Sequence, residues 1–176
     1  MRPRCLLPAI LLTLTACSAD PPPPHGSAAL SPPMASTTTL AAWVGERTGA
    51  CRDVTTPSRE DFARFIGPQW TTLYQPFVAE WATCSVPPNF PKVGLLVFRD
   101  GRFPEFQAHW REAMASGRVN DGPAFGFGNG FAVTQGFLAT SRLGLYYLRC
   151  HYDDPQVHRI PADVEGCVFA NPEHHH

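Results

Sequence analysis

Leu14-Thr15-Ala16-Cys17 places a thiol directly behind two small residues, at the end of an apolar run. That order is a lipobox. It sets up the Cys17 sulfur to receive a diacylglyceryl group, and cleavage before it makes Cys17 the first mature residue. Two acyl chains hold a protein stably on a bilayer, where one holds it only marginally. Arg2 and Arg4 flank the start, and an apolar stretch runs from Cys5 to Leu14. This is the layout of a secretory signal, and its apolar run falls short of the roughly 20 residues that span a bilayer. There is no Arg-Arg pair to suggest a twin-arginine route.

Beyond Cys17 stand four more cysteines, Cys51, Cys84, Cys150 and Cys167. An even number in an exported chain reads as two disulfides. Three pairings are open. The favoured one joins nearest neighbours, Cys51–Cys84 and Cys150–Cys167, each within one half of the domain. Loops of these lengths contribute about 3–4 kcal/mol apiece on the chain-entropy account. A zinc site is disfavoured, because no Cys-x-x-Cys pair exists. Neither a metal nor a cofactor is expected.

Acid–base chemistry has two candidate groups. Glu105, His109 and Glu112 recur at i, i+4 and i+7, a spacing that lines one flank of a helix. The plainer reading is solvent-facing pairs worth a few tenths of a kcal/mol. His151, Asp153, Asp154 and His158 crowd around Cys150, as a hydrolase would need. No Gly-x-Ser-x-Gly or Ser-x-x-Lys pattern supplies a nucleophile, and disulfide cysteines are spent. His174-His175-His176 offers at most weak metal binding. Gly126-Phe127-Gly128-Asn129-Gly130 resembles part of a nucleotide loop but precedes an apolar strand. A phosphate-binding loop follows a strand and opens a helix, so a turn or a close backbone approach is expected here.

Tyr146 and Tyr147 are neighbours on an expected strand, so they face opposite sides. One of them is expected to point away from the core. With His151 they are the candidate ligand contacts, for a small apolar or glycan ligand or for an envelope protein.

The elements that must position these residues follow from periodicity and punctuation. Residues 18–39 are rich in Pro, Ser, Ala and Thr, with Asp20 the one charge. They read as a tether reaching about 60 Å. Leu40, Trp43, Val44 and Arg47 lie at helical spacing behind Thr39, with Gly49 as the stop. Thr56-Pro57 caps a second short helix with Phe62, Phe65 and Ile66 as its buried stripe. Leu73 to Val86 reads as extended, and Val93 to Phe98 as a central strand, followed by a turn at Asp100-Gly101. Pro104 to Ser116 is the strongest helix, with Phe103, Phe106, Trp110, Ala113 and Met114 on one stripe and Gly117 as its end. Gly130 to Gln135 reads as a strand. Phe137 to Leu143 is a hairpin arm or a short helix, Leu145 to Tyr152 a strand, and the tail from Asp153 mostly irregular.

Segregated helices and hairpin-linked strands predict an α+β two-layer sandwich. Its sheet is antiparallel or mixed, its helices lie mainly on one face, and it carries two disulfides. The divisions are a lipoprotein signal over 1–16, an anchor and tether over 17–39, one globular domain over 40–172, and a tail over 173–176. Twelve Phe and four Trp are enough to build a core. Removing Arg2 and Arg4 leaves twelve basic against fifteen acidic residues, a net charge of −3. That excludes the strongly basic face of a nucleic-acid binder.

Thr48-Gly49-Ala50-Cys51, Ala82-Thr83-Cys84, Leu95-Leu96-Val97-Phe98, Trp110 on its helix and Gly128-Asn129-Gly130-Phe131-Ala132-Val133 together form a recognisable order. Over residues 40–143 the chain resembles small exported α/β lipoproteins of actinobacteria. The resemblance implies a bridge from a first-helix cysteine to a strand cysteine, Cys51 to Cys84, and a strand–helix–strand unit ending in the Gly-x-Gly-aromatic strand. It implies little about activity. Residues 145–167 depart from it. The expectation is a non-catalytic binding or interaction module. It would be held by Cys17 on the extracytoplasmic face of the cell membrane, with the bilayer as its first partner. The alternative is an envelope hydrolase using a carboxylate and a histidine.

Overall fold

The computed structural model describes residues 25–68, 70–119, 125–151, 154 and 156–171, with the backbone alone at residues 70 and 71. The signal, Cys17 and the tail from 172 lie outside the described residues. The fold is α+β. One sheet has five strands: β1 (Arg52–Thr55), β2 (Val78–Val86), β3 (Phe90–Phe98), β4 (Phe125–Gly128) and β5 (Phe131–Thr134). Their order is β1-β2-β3-β5-β4, and every pairing is antiparallel. The second sheet orders β6 (Tyr147–Cys150), β8 (Cys167–Asn171) and β7 (His158–Pro161), again antiparallel. A bridge between Phe127 and Tyr146 joins the two sheets at the β4 edge.

β3 is central because its apolar run is buried on both faces, with Val93, Leu95 and Leu96 fully enclosed. Even-numbered residues Leu96 and Phe98 face α2 (Arg59–Ile66), α3 (Phe103–Ala115) and the second sheet. Odd-numbered Val93, Leu95 and Val97 face α1 (Thr37–Thr48) and the π-helical turn Leu138–Arg142. The α3 side is an aromatic cluster. Phe98 lies 4.6 Å from Phe103 and 4.8 Å from Phe106, and Tyr74 lies 4.4 Å from Phe125. Such pairs contribute about 0.5–1.5 kcal/mol beyond area burial.

Helix α1 starts three residues earlier than expected, and α2 two residues later. Ser36 Oγ, not Thr39, accepts from the Thr39 N–H at 3.1 Å and caps α1. Glu80 Oε2 accepts from Thr37 N at 2.9 Å, so a strand carboxylate satisfies another free helix donor. Gly49 ends α1 in the left-handed conformation, as expected. Ser58, not Thr56, caps α2 through Asp61 N.

Three further expectations change. Leu73 and Tyr74 belong to a π-helical turn, Trp70–Tyr74, and β2 begins only at Val78. Both side chains are buried, which neighbours on a strand against one core cannot both be. The tail from residue 153 is not mostly irregular, since it supplies β7 and β8, with Cys150 directly opposite Cys167. Gly126 and Gly128 are strand residues in β4, not a turn. A Cβ there would meet Ala139 Cβ at 2.5 Å and the Phe131 ring at 2.2 Å, so close approach is their role.

Residues 25–39, expected as the second half of the tether, are docked on the domain. Ser27 N donates to Asp163 Oδ1 at 3.1 Å, and Asn129 N donates to Ser31 Oγ at 3.2 Å. Leu30 and Met34 pack against the two halves of the core. Among the described residues no helix is long and apolar enough to cross a membrane.

Candidate functional site

The two disulfides are Cys51–Cys84, with a Cα separation of 5.4 Å, and Cys150–Cys167, at 4.0 Å. Cys51–Cys84 does more than staple. It fixes the start of β1 to β2 at the open edge of the larger sheet. Along that edge runs a groove of about 620 Å³, between β1, α2 and the start of β3. Its size falls within the range of small-ligand sites.

Each wall has a local cause. The Trp81 indole N–H donates to the Pro57 carbonyl at 3.0 Å, which pins the approach to α2. Phe62 is fully buried on the sheet and Phe65 half-buried, so Asp61 and Arg64 on the other side of α2 face solvent and the groove. On the floor, Thr55 Oγ1 and Thr83 Oγ1 lie 3.2 Å apart. Ser85 Oγ donates to Asp53 Oδ2 at 3.4 Å. From β3, the Lys92 ammonium sits 4.6 Å over the Phe65 ring.

The Ser58 hydroxyl, donating at 2.9 Å, and then the Arg64 guanidinium at 2.9 Å hold the Asp61 carboxyl below its ordinary value. The Asp61–Arg64 pair is well exposed on both sides, so it adds little to stability. Rigidity of the groove comes from the disulfide and the Trp81 anchor.

No protein-family model, curated protein or solved structure matches this chain. The site's own chemistry therefore carries the functional reading.

The residues expected as ligand contacts do not form one exposed patch. Tyr147 is 9% exposed, with its hydroxyl 3.4 Å from Thr140 Oγ1 and the Arg149 guanidinium 5.5 Å over its ring. Tyr146 is half-buried, and burial pushes its phenol pKa up. Its ring centroid lies 6.0 Å from that of His158. Neither tyrosine points freely outward: Tyr146 packs against the α3 side of the core, and Tyr147 is covered by Thr140 and Arg149. His151 is exposed just past β6, and its backbone N–H is bonded to Gly166.

The helical trio does not converge either. His109 Nε2 is 3.1 Å from the Thr72 carbonyl, Glu105 pairs with Arg102 and Glu112 with Arg118. Asp154 accepts from Gln156 N in a local turn, and Asp153 lies outside the described residues. Among the described residues no group of three His, Cys, Asp or Glu is placed to hold a metal. Sequence reasoning missed the groove because its residues come from three separated segments. The one available signal was Cys51–Cys84, which marks where β1 meets β2.

Proposed function

We propose that this chain is an exported lipoprotein, anchored through acylated Cys17 on the extracytoplasmic face of the cell membrane. There it acts as a binding module that uses the groove beside β1. The observation that carries the proposal is the pairing of Cys51–Cys84 and Cys150–Cys167, which uses every cysteine after Cys17. Structural disulfides persist in oxidising, exported settings, and Cys17 is left for the lipid. The resemblance to small exported lipoproteins of actinobacteria belongs to this proposal.

Local neutralisation of the groove's charges favours binding over hydrolysis. A glycosidase working through two carboxyls keeps one of them protonated as its general acid. Asp61 is instead held ionised by Ser58 and Arg64. His109, on α3, is engaged with the Thr72 carbonyl and is not among the groove-lining residues.

The test is fractionation of a bacterial host that processes lipoproteins. The wild-type chain is expected in the membrane fraction, extractable with detergent but not with salt. Cys17→Ala is expected to lose lipid-dependent partitioning. Wild-type chain found in the soluble cytoplasmic fraction with free thiols would overturn the proposal.

A further inference from the structure

The groove beside β1 has a charge pattern that narrows its ligand, given the binding-module reading above. Its lining includes two carboxylates, Asp53 and Asp61, and two cations, Arg64 and Lys92, so its formal charge is zero. Each charge is engaged internally. Asp61 takes Arg64 and the Ser58 hydroxyl, Asp53 takes Ser85, and Lys92 lies over Phe65. A ligand of net charge gains no net field from such a surface.

What the groove offers between those charges is hydroxyls. Thr55 on the edge strand β1 is exposed and Ser85 on β2 is half-exposed, while Thr83 lies buried beneath them with its hydroxyl against that of Thr55; all three line the groove. A hydroxyl both donates and accepts, so it matches a partner that is itself built of hydroxyls. The floor is also stiff. Cys84 is bridged to Cys51, and Pro57 and Pro91 flank the opening. A preformed site loses little ordering entropy on binding.

We infer that this groove binds a neutral oligosaccharide. Sugar hydroxyls bond to Thr55 and Ser85, and the Asp53 carboxylate accepts from one of them.

The experiment is calorimetric titration of the processed full chain, in detergent micelles, with two uncharged probes, an N-acetylglucosamine tetramer and a maltose-type glucose tetramer. Tetraglutamate and tetralysine are titrated in parallel. Saturable binding of one or both sugars is expected. Thr55→Val and Ser85→Ala are each expected to weaken it about five- to tenfold, the loss of one hydrogen bond. Glu112→Gln, on the exposed side of α3, is expected to leave it unchanged, and far-UV circular dichroism checks that each variant is folded. Sugar binding untouched by both groove substitutions overturns the assignment. So does the absence of sugar binding at millimolar probe. Binding of a charged peptide without sugar overturns the ligand class while leaving the binding-module reading in place.

Discussion

The buried side-chain amide of Gln107 grips Asp163 at two points. Its Nε2 donates to Asp163 Oδ2, and its Oε1 accepts from Asp163 N at 2.9 Å. Gln107 is wholly buried on α3, so these bonds satisfy an amide that would otherwise be costly to enclose. The other carboxylate oxygen of Asp163 is then aimed at the N–H of Ser27. One helix residue thereby ties the β7–β8 connection and the start of the docked N-terminal segment to the core. Gln107→Ala should leave the Asp163 N–H and carboxylate short of partners. The expected cost is about 1–3 kcal/mol, read as a fall in Tm of about 2–4 °C per kcal/mol. An unchanged Tm would show that water replaces the amide without loss.

Gly26 is the tightest point of that clip. Its φ is +60°, and a Cβ built there would lie 1.9 Å from Asp163 Oδ1. Gly26→Ala is therefore expected to detach the segment around Ser27 while leaving the sheets intact. Limited proteolysis should then cut between residues 25 and 35 far faster than in the wild type, and the remaining domain should stay resistant. Equal cleavage rates would mean that the docking rests on Leu30 and Met34.

Much of this architecture was legible in the sequence, and the exceptions have physical causes. Val93 to Phe98 announces a central strand because all of its side chains are apolar, and Phe103, Phe106 and Trp110 repeat at helical spacing. The cysteines announce their pairing through parity and proximity. β4 was hidden because Gly126 and Gly128 imitate a turn, although their missing side chains make room for Ala139 and Phe131. β7 and β8 were hidden because four- and five-residue strands around Pro161 and Gly166 carry little pattern of their own. The groove was illegible for a different reason. Asp53, Asp61, Thr83 and Lys92 are unremarkable singly, and only the β1–β2 pairing and the seat of α2 bring them together.

The Cys150–Cys167 bridge closes a separation of 17 residues, and Cys51–Cys84 one of 33. On loop entropy each is worth about 3–4 kcal/mol. Replacing Cys150 and Cys167 together with serine should lower the free energy of urea unfolding by that amount. Replacing Cys51 and Cys84 should do the same and also weaken the groove. Hydrogen exchange is expected to rise at Thr55 and Thr83 in the second variant and to stay near wild type there in the first.

Asp61 carries a pH signature with a definite sign. Its carboxyl is held below the ordinary 3.8, first by the Ser58 hydroxyl and then by Arg64. A depressed carboxyl stabilises the fold above its unfolded value, and that contribution is lost as pH falls through the folded one. Carboxyl NMR titration should therefore place Asp61 below 3.8, and Ser58→Ala should move it upward. The contribution itself should be present at pH 5 and disappear only in strong acid. A midpoint above 3.8 in the wild type would contradict this geometry.

The central claim is that Cys17 carries lipid and that the four later cysteines are oxidised in pairs. The direct measurement is the intact mass of the chain extracted from its own membrane in mild detergent. The account predicts a chain beginning at Cys17, heavier by its acyl groups and lighter by four hydrogens for two disulfides. A mass that retains residues 1–16, or that lacks lipid, would contradict it.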